Sequence, residues 1–427
     1  MEISDVISEY VQQTDYEMLD SNIREEAKRR VLDALANVKY SYIQIGSILG
    51  DVAEYFGGVA QTVNGINTSV DFASFYNTFL IRYLDFNDTY LSKEPLHPSD
   101  MIGGLLALGK MFNSTGKQLI NSIAIGYEVG TRLCDYSSLR KRGFDHVLFL
   151  SVAEAAAASK LLELSAEKTR NAISLALVPN VALRETRSGS LSMWKAGAAA
   201  NASRNAVFAT ILAMKGITGP EKPFSGKMGL NSIVLQDFDE KKFDKMDSSG
   251  ILRTHIKQYP AEYHAQGAIE AALQINYEGE IEEVKVDTYE AAKSILADDE
   301  SKWNPKNRET ADHSLPFMIS VTLVKKGFWL DSYSYIQDPE VKSVMNKVRV
   351  YEDQSMSKIY PEKLPVMISV RTNKGEKSAY IELPKGNAKR PLTNDELIKK
   401  ASRLGLDKVI MEKVMNLEQI MVKEIVV

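Results

Sequence analysis

Cysteine is almost missing from this chain: Cys134 is the only one in 427 residues. One thiol cannot close an intrachain disulfide, and it cannot hold an iron–sulfur cluster. A disulfide-stapled scaffold and a cluster-dependent hydratase are therefore both excluded. Histidine is scarce as well, limited to His97, His146, His255, His264 and His313. No H-E-x-x-H or paired-cysteine spacing marks a dedicated metal site, and no Walker loop or G-x-G-x-x-G before a strand–helix unit marks a nucleotide site. Long apolar runs are lacking too. The most apolar stretch, Val147 to Leu164, is interrupted by Glu154 and Lys160 and is short of a bilayer span. The opening M-E-I-S-D-V-I-S-E-Y has neither the basic nor the apolar region of a secretory leader. No charge of one sign dominates: 52 Lys and Arg face 56 Asp and Glu. That balance argues against a nucleic-acid partner. A soluble, cytoplasmic protein with no membrane partner is expected.

What is present suggests two domains, since the chain is long for one hydrophobic core. Up to about residue 255 the apolar spacing is helical, as in Ile23, Ala27, Val31 and Leu35, or Leu119, Ile120, Ile123 and Tyr127. Ala153 to Ala158 and Ala196 to Ala200 read as small-residue faces for close helix contact. Beyond residues 265–280 period-two alternation takes over, at Glu283–Tyr289, Lys347–Tyr351, Val366–Thr372 and Lys377–Leu383. Asn373-Lys-Gly-Glu376 reads as a hairpin turn between the last two. A helix is expected over Leu315 to Lys325. Thr393-Asn-Asp-Glu396 is a capping box, opening helices at about 394–404 and 407–423. The fold class expected is mainly α plus α+β: a large all-helical domain, 1–265 and 392–427, with an inserted smaller α+β domain, 266–391.

The stretch from Arg82 to Gly104 draws the chemistry together. Pro95 and Pro98 separate two helical patterns, so residues 90–97 form a turn. His97 precedes Pro98-Ser99, where a helix starts. That helix N-terminus would seat a carboxylate and favour a neutral, base-competent imidazole at His97. If the chain stays helical through Asp85, Thr89 lies one turn on, and carboxylate, hydroxyl and imidazole converge. The plainer alternative has Asp85 and Asp88 paired with Arg82, Thr89 capping a turn and His97 in a surface loop. Downstream, Lys195 sits among small and apolar residues, where it must either snorkel or meet an anion. Arg184 and Arg187 are forks suited to carboxylates, or partners of Glu185. His146, in G-F-D-H, sits before a helix. His264 falls near the change of domain, and His313 at a helix start.

L-D-F-N-D-T with H-P-S-D-x-I-G-G resembles the signature of the MmgE/PrpD family, the cofactor-independent 2-methylcitrate dehydratases. Cis-aconitate decarboxylase belongs to the same family. G-F-D-H at 143–146, M-W-K-A-G-A-A-A at 193–200, Y-P-A-E-Y-H-A-Q at 259–266 and T-A-D-H-S-L-P-F at 310–317 resemble further family segments in the same order. The resemblance implies a helical domain with an α+β lid and a site in the cleft between them. It also implies dehydration of 2-methylcitrate, with citrate as a further substrate, in propionate metabolism. No cofactor or metal is implied, and the assembly implied is a homodimer. The implied catalytic residues are Asp85, Thr89, His97, His146, Lys195 and His264. Lys195, Arg187 and Thr89 would hold carboxylates, His97 and His264 would transfer protons, Asp85 would orient one of them, and His146 would be a further donor to substrate. Asn87-Asp88 and the long spacer before His97 look more like the dehydratase branch than the decarboxylase one. Decarboxylation of cis-aconitate, isomerisation or epimerisation of another polycarboxylate, and a non-catalytic binding protein are the competing readings.

Overall fold

The computed structural model describes residues 2–235 and 237–427 and divides into two compact units. The first comprises residues 1–187, 194–254 and 393–427; the second comprises 188–193 and 255–392. The boundary therefore falls at 254/255, ahead of the expected 265/266. The cause is local: the turn Tyr263–Ala265 runs directly into the helix Gln266–Gln274, which packs on the sheet and cannot be parted from it.

The first unit is helical: α1 (Ile3–Gln13), α2 (Ser21–Ala53), α3 (Val70–Tyr83), α4 (Ile102–Met111), α5 (Gly116–Tyr136), α6 (Val147–Leu161), α7 (Ala166–Leu177) and α8 (Trp194–Met214). It is not all-helical, because a small ribbon pairs β1 (Ala60–Gln61) with β2 (Asn67–Thr68). Helix α3 packs on α4 and α8, and α6 on α5, α7 and α8. Ala153, Ala155, Ala156, Ala157 and Ala158 of α6 are buried, as are Ala196, Ala198, Ala199 and Ala200 of α8. Small side chains on both helices let their axes approach. The paired glycines of the signature serve the same end. A Cβ on Gly103 would lie 2.6 Å from the Thr78 amide nitrogen, and one on Gly104 would lie 1.9 Å from Glu154 Oε1. Only a bare backbone allows α4 to sit this close to α3 and α6.

Thr393 caps the helix Asn394–Arg403 as expected, and Lys400 of that helix reaches Asp33 of α2 at 2.6 Å. The next helix stops at Met415, well before residue 423, and gives way to short 3-10 turns. Among the described residues no helix is long and apolar enough to cross a membrane.

The second unit holds a four-stranded sheet in the order β4 (Val348–Glu352), β3 (Ile281–Thr288), β5 (Val366–Thr372) and β6 (Gly375–Ile381). β3 runs parallel to β4 and antiparallel to β5. A parallel pair needs a long crossover, and the helix Leu315–Lys325 lies within it. β6 starts earlier than the alternation suggested, because Gly375 already pairs with Thr372 across a turn of Asn373 and Lys374. Val284, Val286, Ile368 and Val370 form one face of a core with Ile269, Phe317 and Val321. The fold class is thus mainly α plus α+β.

Candidate functional site

Helix α3 ends at Tyr83, so Asp85 is not helical. It adopts a left-handed conformation, φ +51°, just past the helix cap, a position that usually favours glycine or asparagine. Thr89 is consequently not one turn further on the same face. It lies in extended chain, its hydroxyl donates to the Leu96 carbonyl at 3.3 Å, and the neighbouring Tyr90 pairs with Leu96 across the 90–97 turn. The shared helical face expected for Asp85 and Thr89 does not form.

Asp85 meets two cations. Arg82 Nη1 pairs with Oδ1 at 2.5 Å and Lys195 Nζ with Oδ2 at 3.2 Å, all three side chains being buried. The pairing with Arg82 is the plainer of the two readings of the sequence, and Lys195 adds to it. Lys195 stands in the first turn of α8, where the helix dipole disfavours a positive charge. An anion was required there, and the chain supplies it. Asp88 pairs not with Arg82 but with Arg30, at 3.4 Å, and accepts the Tyr127 hydroxyl at 2.7 Å.

His97 does precede a helix start, a 3-10 turn over Pro98–Met101 that leads into α4. The N-terminus is not offered to a substrate carboxylate, however: Asp88 Oδ1 already accepts from the Ser99 amide at 3.0 Å. The backbone oxygen of the same Asp88 lies 2.7 Å from His97 Nδ1. A carbonyl only accepts, so Nδ1 carries the hydrogen and Nε2 is the basic nitrogen of the neutral ring.

His146 lies against His97, with ring centroids 5.6 Å apart. It caps α6, and Asp145 Oδ1 lies 3.1 Å from its Nδ1. Burial, opposed by Asp145 but reinforced by Arg187 and Arg82, lowers its pKa to about 3. A neutral ring with Nδ1–H turned to a carboxylate accepts at Nε2. In that tautomer Nε2 is the basic nitrogen of the ring. Arg187 gives Nε to Asp145 Oδ2 at 3.1 Å and Nη1 to the Lys195 carbonyl at 2.9 Å. Burial works to raise the Asp145 pKa, but Arg187 and the other donors outweigh it and hold the carboxyl below its usual value. In contrast, burial pushes Asp100 up to about 7, against the pull of Arg82 at 3.7 Å.

His264 belongs to the second unit. Its Nδ1 lies 2.7 Å from the Tyr289 hydroxyl, beside stacked Tyr289 and Tyr360 rings. His313, in the same unit, pairs with Asp312 at 2.5 Å.

The sequence reading missed Asp145, Asp100 and Glu94. An acid beside a histidine at a helix start was the available signal for Asp145; nothing marked the others. Glu94 carries the turn that holds His97, and it accepts from Ser138 Oγ at 3.0 Å and the Arg140 amide at 2.9 Å. Burial raises it from 4.5 to about 7. Between those values the folded protein holds a proton that the unfolded chain has released, so stability falls as pH rises through this window. Glu94→Gln is expected to lessen the fall in melting temperature between pH 4.5 and 7, the remainder coming from Asp100. An unchanged slope would remove Glu94 as its source.

The first unit thus gathers an ammonium, guanidinium groups, carboxylates and two adjoining imidazoles. The family follows from comparison: models of the MmgE/PrpD N-terminal and C-terminal domains match residues 5–242 and 259–424, and the chain belongs to that family. It is 30% identical over 389 residues to the mitochondrial 2-methylcitrate dehydratase of Yarrowia lipolytica, covering 83% of this chain and 73% of that protein. It is 29% identical over 352 residues to the 2-methylcitrate dehydratase of Salmonella typhi, covering 74% and 71%. The probable 2-methylcitrate dehydratase of Saccharomyces cerevisiae is 30% identical over 344 residues, covering 72% and 66%. The protein is a dehydratase-like enzyme, a hydro-lyase.

Proposed function

We propose that the enzyme eliminates water from 2-methylcitrate to give 2-methyl-cis-aconitate, as a cytoplasmic step of propionate metabolism. The observation that supports this reading is that buried Arg82 and Lys195 and partly buried Arg187 lie in the same unit as the adjoining His97 and His146 rings. A tricarboxylate needs cations to hold it, and the enolate-like charge of its transition state needs them more. Elimination also needs an acceptor for the proton beside a carboxylate and a donor for the departing hydroxide. The two imidazoles, each anchored through Nδ1, present Nε2 for these tasks, His146 as acceptor and His97, when protonated, as donor. Burial is the main reason His146 resists a proton, and bound carboxylates would offset the further contribution of Arg187 and Arg82. Exposed Ile43, Ile48, Tyr55 and Val59, on and just after α2, support a homodimer.

The test is to incubate chelator-treated protein with 2-methylcitrate, citrate and cis-aconitate, identify the products, and measure the mass in solution. The expected results are a dehydrated tricarboxylate, turnover that persists after chelation, and twice the chain mass. Carbon dioxide from cis-aconitate would move the protein to decarboxylation. Activity restored only by an added metal ion would replace the cofactor-free reading, and a single-chain mass would remove the dimer.

A further inference from the structure

Asp145 engages two site residues with its two oxygens, Oδ1 toward His146 Nδ1 and Oδ2 toward Arg187 Nε, each at 3.1 Å. Its own place is fixed by the chain: the Asp145 amide donates to the Ala182 carbonyl at 2.9 Å, and the Val147 amide approaches Oδ1 at 3.4 Å. Beyond the carboxylate, and beyond Arg187 Nη1 on the Lys195 carbonyl, each partner is left with one polar atom, His146 Nε2 and Arg187 Nη2. Both are buried, and neither has a hydrogen-bond partner among the described residues. Buried polar atoms are nearly always satisfied. One acceptor and one donor left unmatched, both steered by the same carboxylate, point to a ligand that brings an acidic hydrogen to the first and an anionic oxygen to the second.

Resting on the dehydration reading above, we propose that Asp145 is a positioning residue. It holds His146 in the Nδ1–H tautomer, so that Nε2 takes the proton lying α to a substrate carboxylate bound at Arg187 Nη2. In that step the C–H bond breaks toward Nε2 and its electron pair becomes the new C=C bond as the C–O bond breaks. The departing hydroxide takes a proton from the His97 imidazolium and leaves as water. His146 remains as an imidazolium facing the ionised Asp145, and its proton returns to solvent while His97 is reprotonated. The charged groups that act on the His146 ring are Asp145, Arg187, Arg82 and Asp85. Of these only Asp145 is in hydrogen-bond reach of Nδ1, so only it can choose the tautomer.

The experiment is nitrogen-15 NMR of histidine-labelled protein without substrate, with His146→Gln used to assign the His146 signals. The wild type is expected to show hydrogen on Nδ1 and a bare Nε2, and Asp145→Asn a changed or mixed tautomer. In Asp145→Asn, kcat should fall by about 10²–10⁴ with KM moving far less, as when a carboxylate that orients a catalytic imidazole is lost. Asp145→Glu should restore part of kcat. Hydrogen on Nε2 in the wild type, or an Asp145→Asn protein with unaltered tautomer and kcat, would overturn the proposal. If Asp145→Asn does not fold, the wild-type tautomer and Asp145→Glu decide. The tautomer is read with no substrate present, so a protein inactive on every tricarboxylate sinks the dehydratase reading without touching this measurement.

Discussion

Asp85→Asn is expected to lower both stability and turnover. The carboxylate stands between Arg82 and Lys195, all three buried. An asparagine of the same shape leaves two positive charges in a low-dielectric interior with their shared anion gone. Removing one partner of a buried ion pair typically costs about 3–5 kcal/mol. The substitution is therefore not thermally silent, as it would be had Asp85 merely faced a substrate across a helix. Turnover per folded molecule should also fall by about 10²–10⁴, because Lys195 and Arg82 lose the anchor that sets their aim. Two measurements separate the effects: a melting curve, and kcat corrected for the folded fraction. A lowered melting temperature with wild-type kcat would make Asp85 purely structural, and its left-handed backbone nothing more than a helix stop.

His97→Gln and His146→Gln are each expected to cut turnover by about 10²–10⁴, the usual worth of a positioned acid or base. The double variant should be little worse than the weaker single, since the rings lie 5.6 Å apart and would serve one proton-transfer sequence. His146→Gln carries a second readout. The folded ring resists protonation down to about 3 and the unfolded one does not, so the wild type loses stability as pH falls from about 6.5 toward 3. The variant should lose this acid-side slope while keeping the opposite slope set by Glu94 and Asp100. Multiplying rather than saturating losses in the double variant would show that the two rings act in separate steps.

The signature around Arg82–Gly104 was legible because its constraints are local. Prolines end helices wherever they stand, and His97 before Pro98 opens one. The strand alternation, the helix Leu315–Lys325 and the Thr393 capping box are of the same kind: periodicity and capping act over a few residues. The ribbon at 60–68 was not legible, since two-residue strands carry no period. Neither was the boundary at 254/255, because the turn before the helix Gln266–Gln274 reads like any other helical lead-in.

By itself, then, the sequence determined the fold class, the family signature and which residue types could carry acid–base chemistry. Only the tertiary structure decided who partners whom. Asp85 leaves the helix and takes Lys195, which lies 110 positions away in the chain. Asp88 seats its carboxylate on the Ser99 amide at the helix start, and Asp145 lies against His146 Nδ1. Such choices depend on charges that meet through packing of α3, α6 and α8. A buried charge must find its counter-charge in space, and no spacing along the chain records that distance.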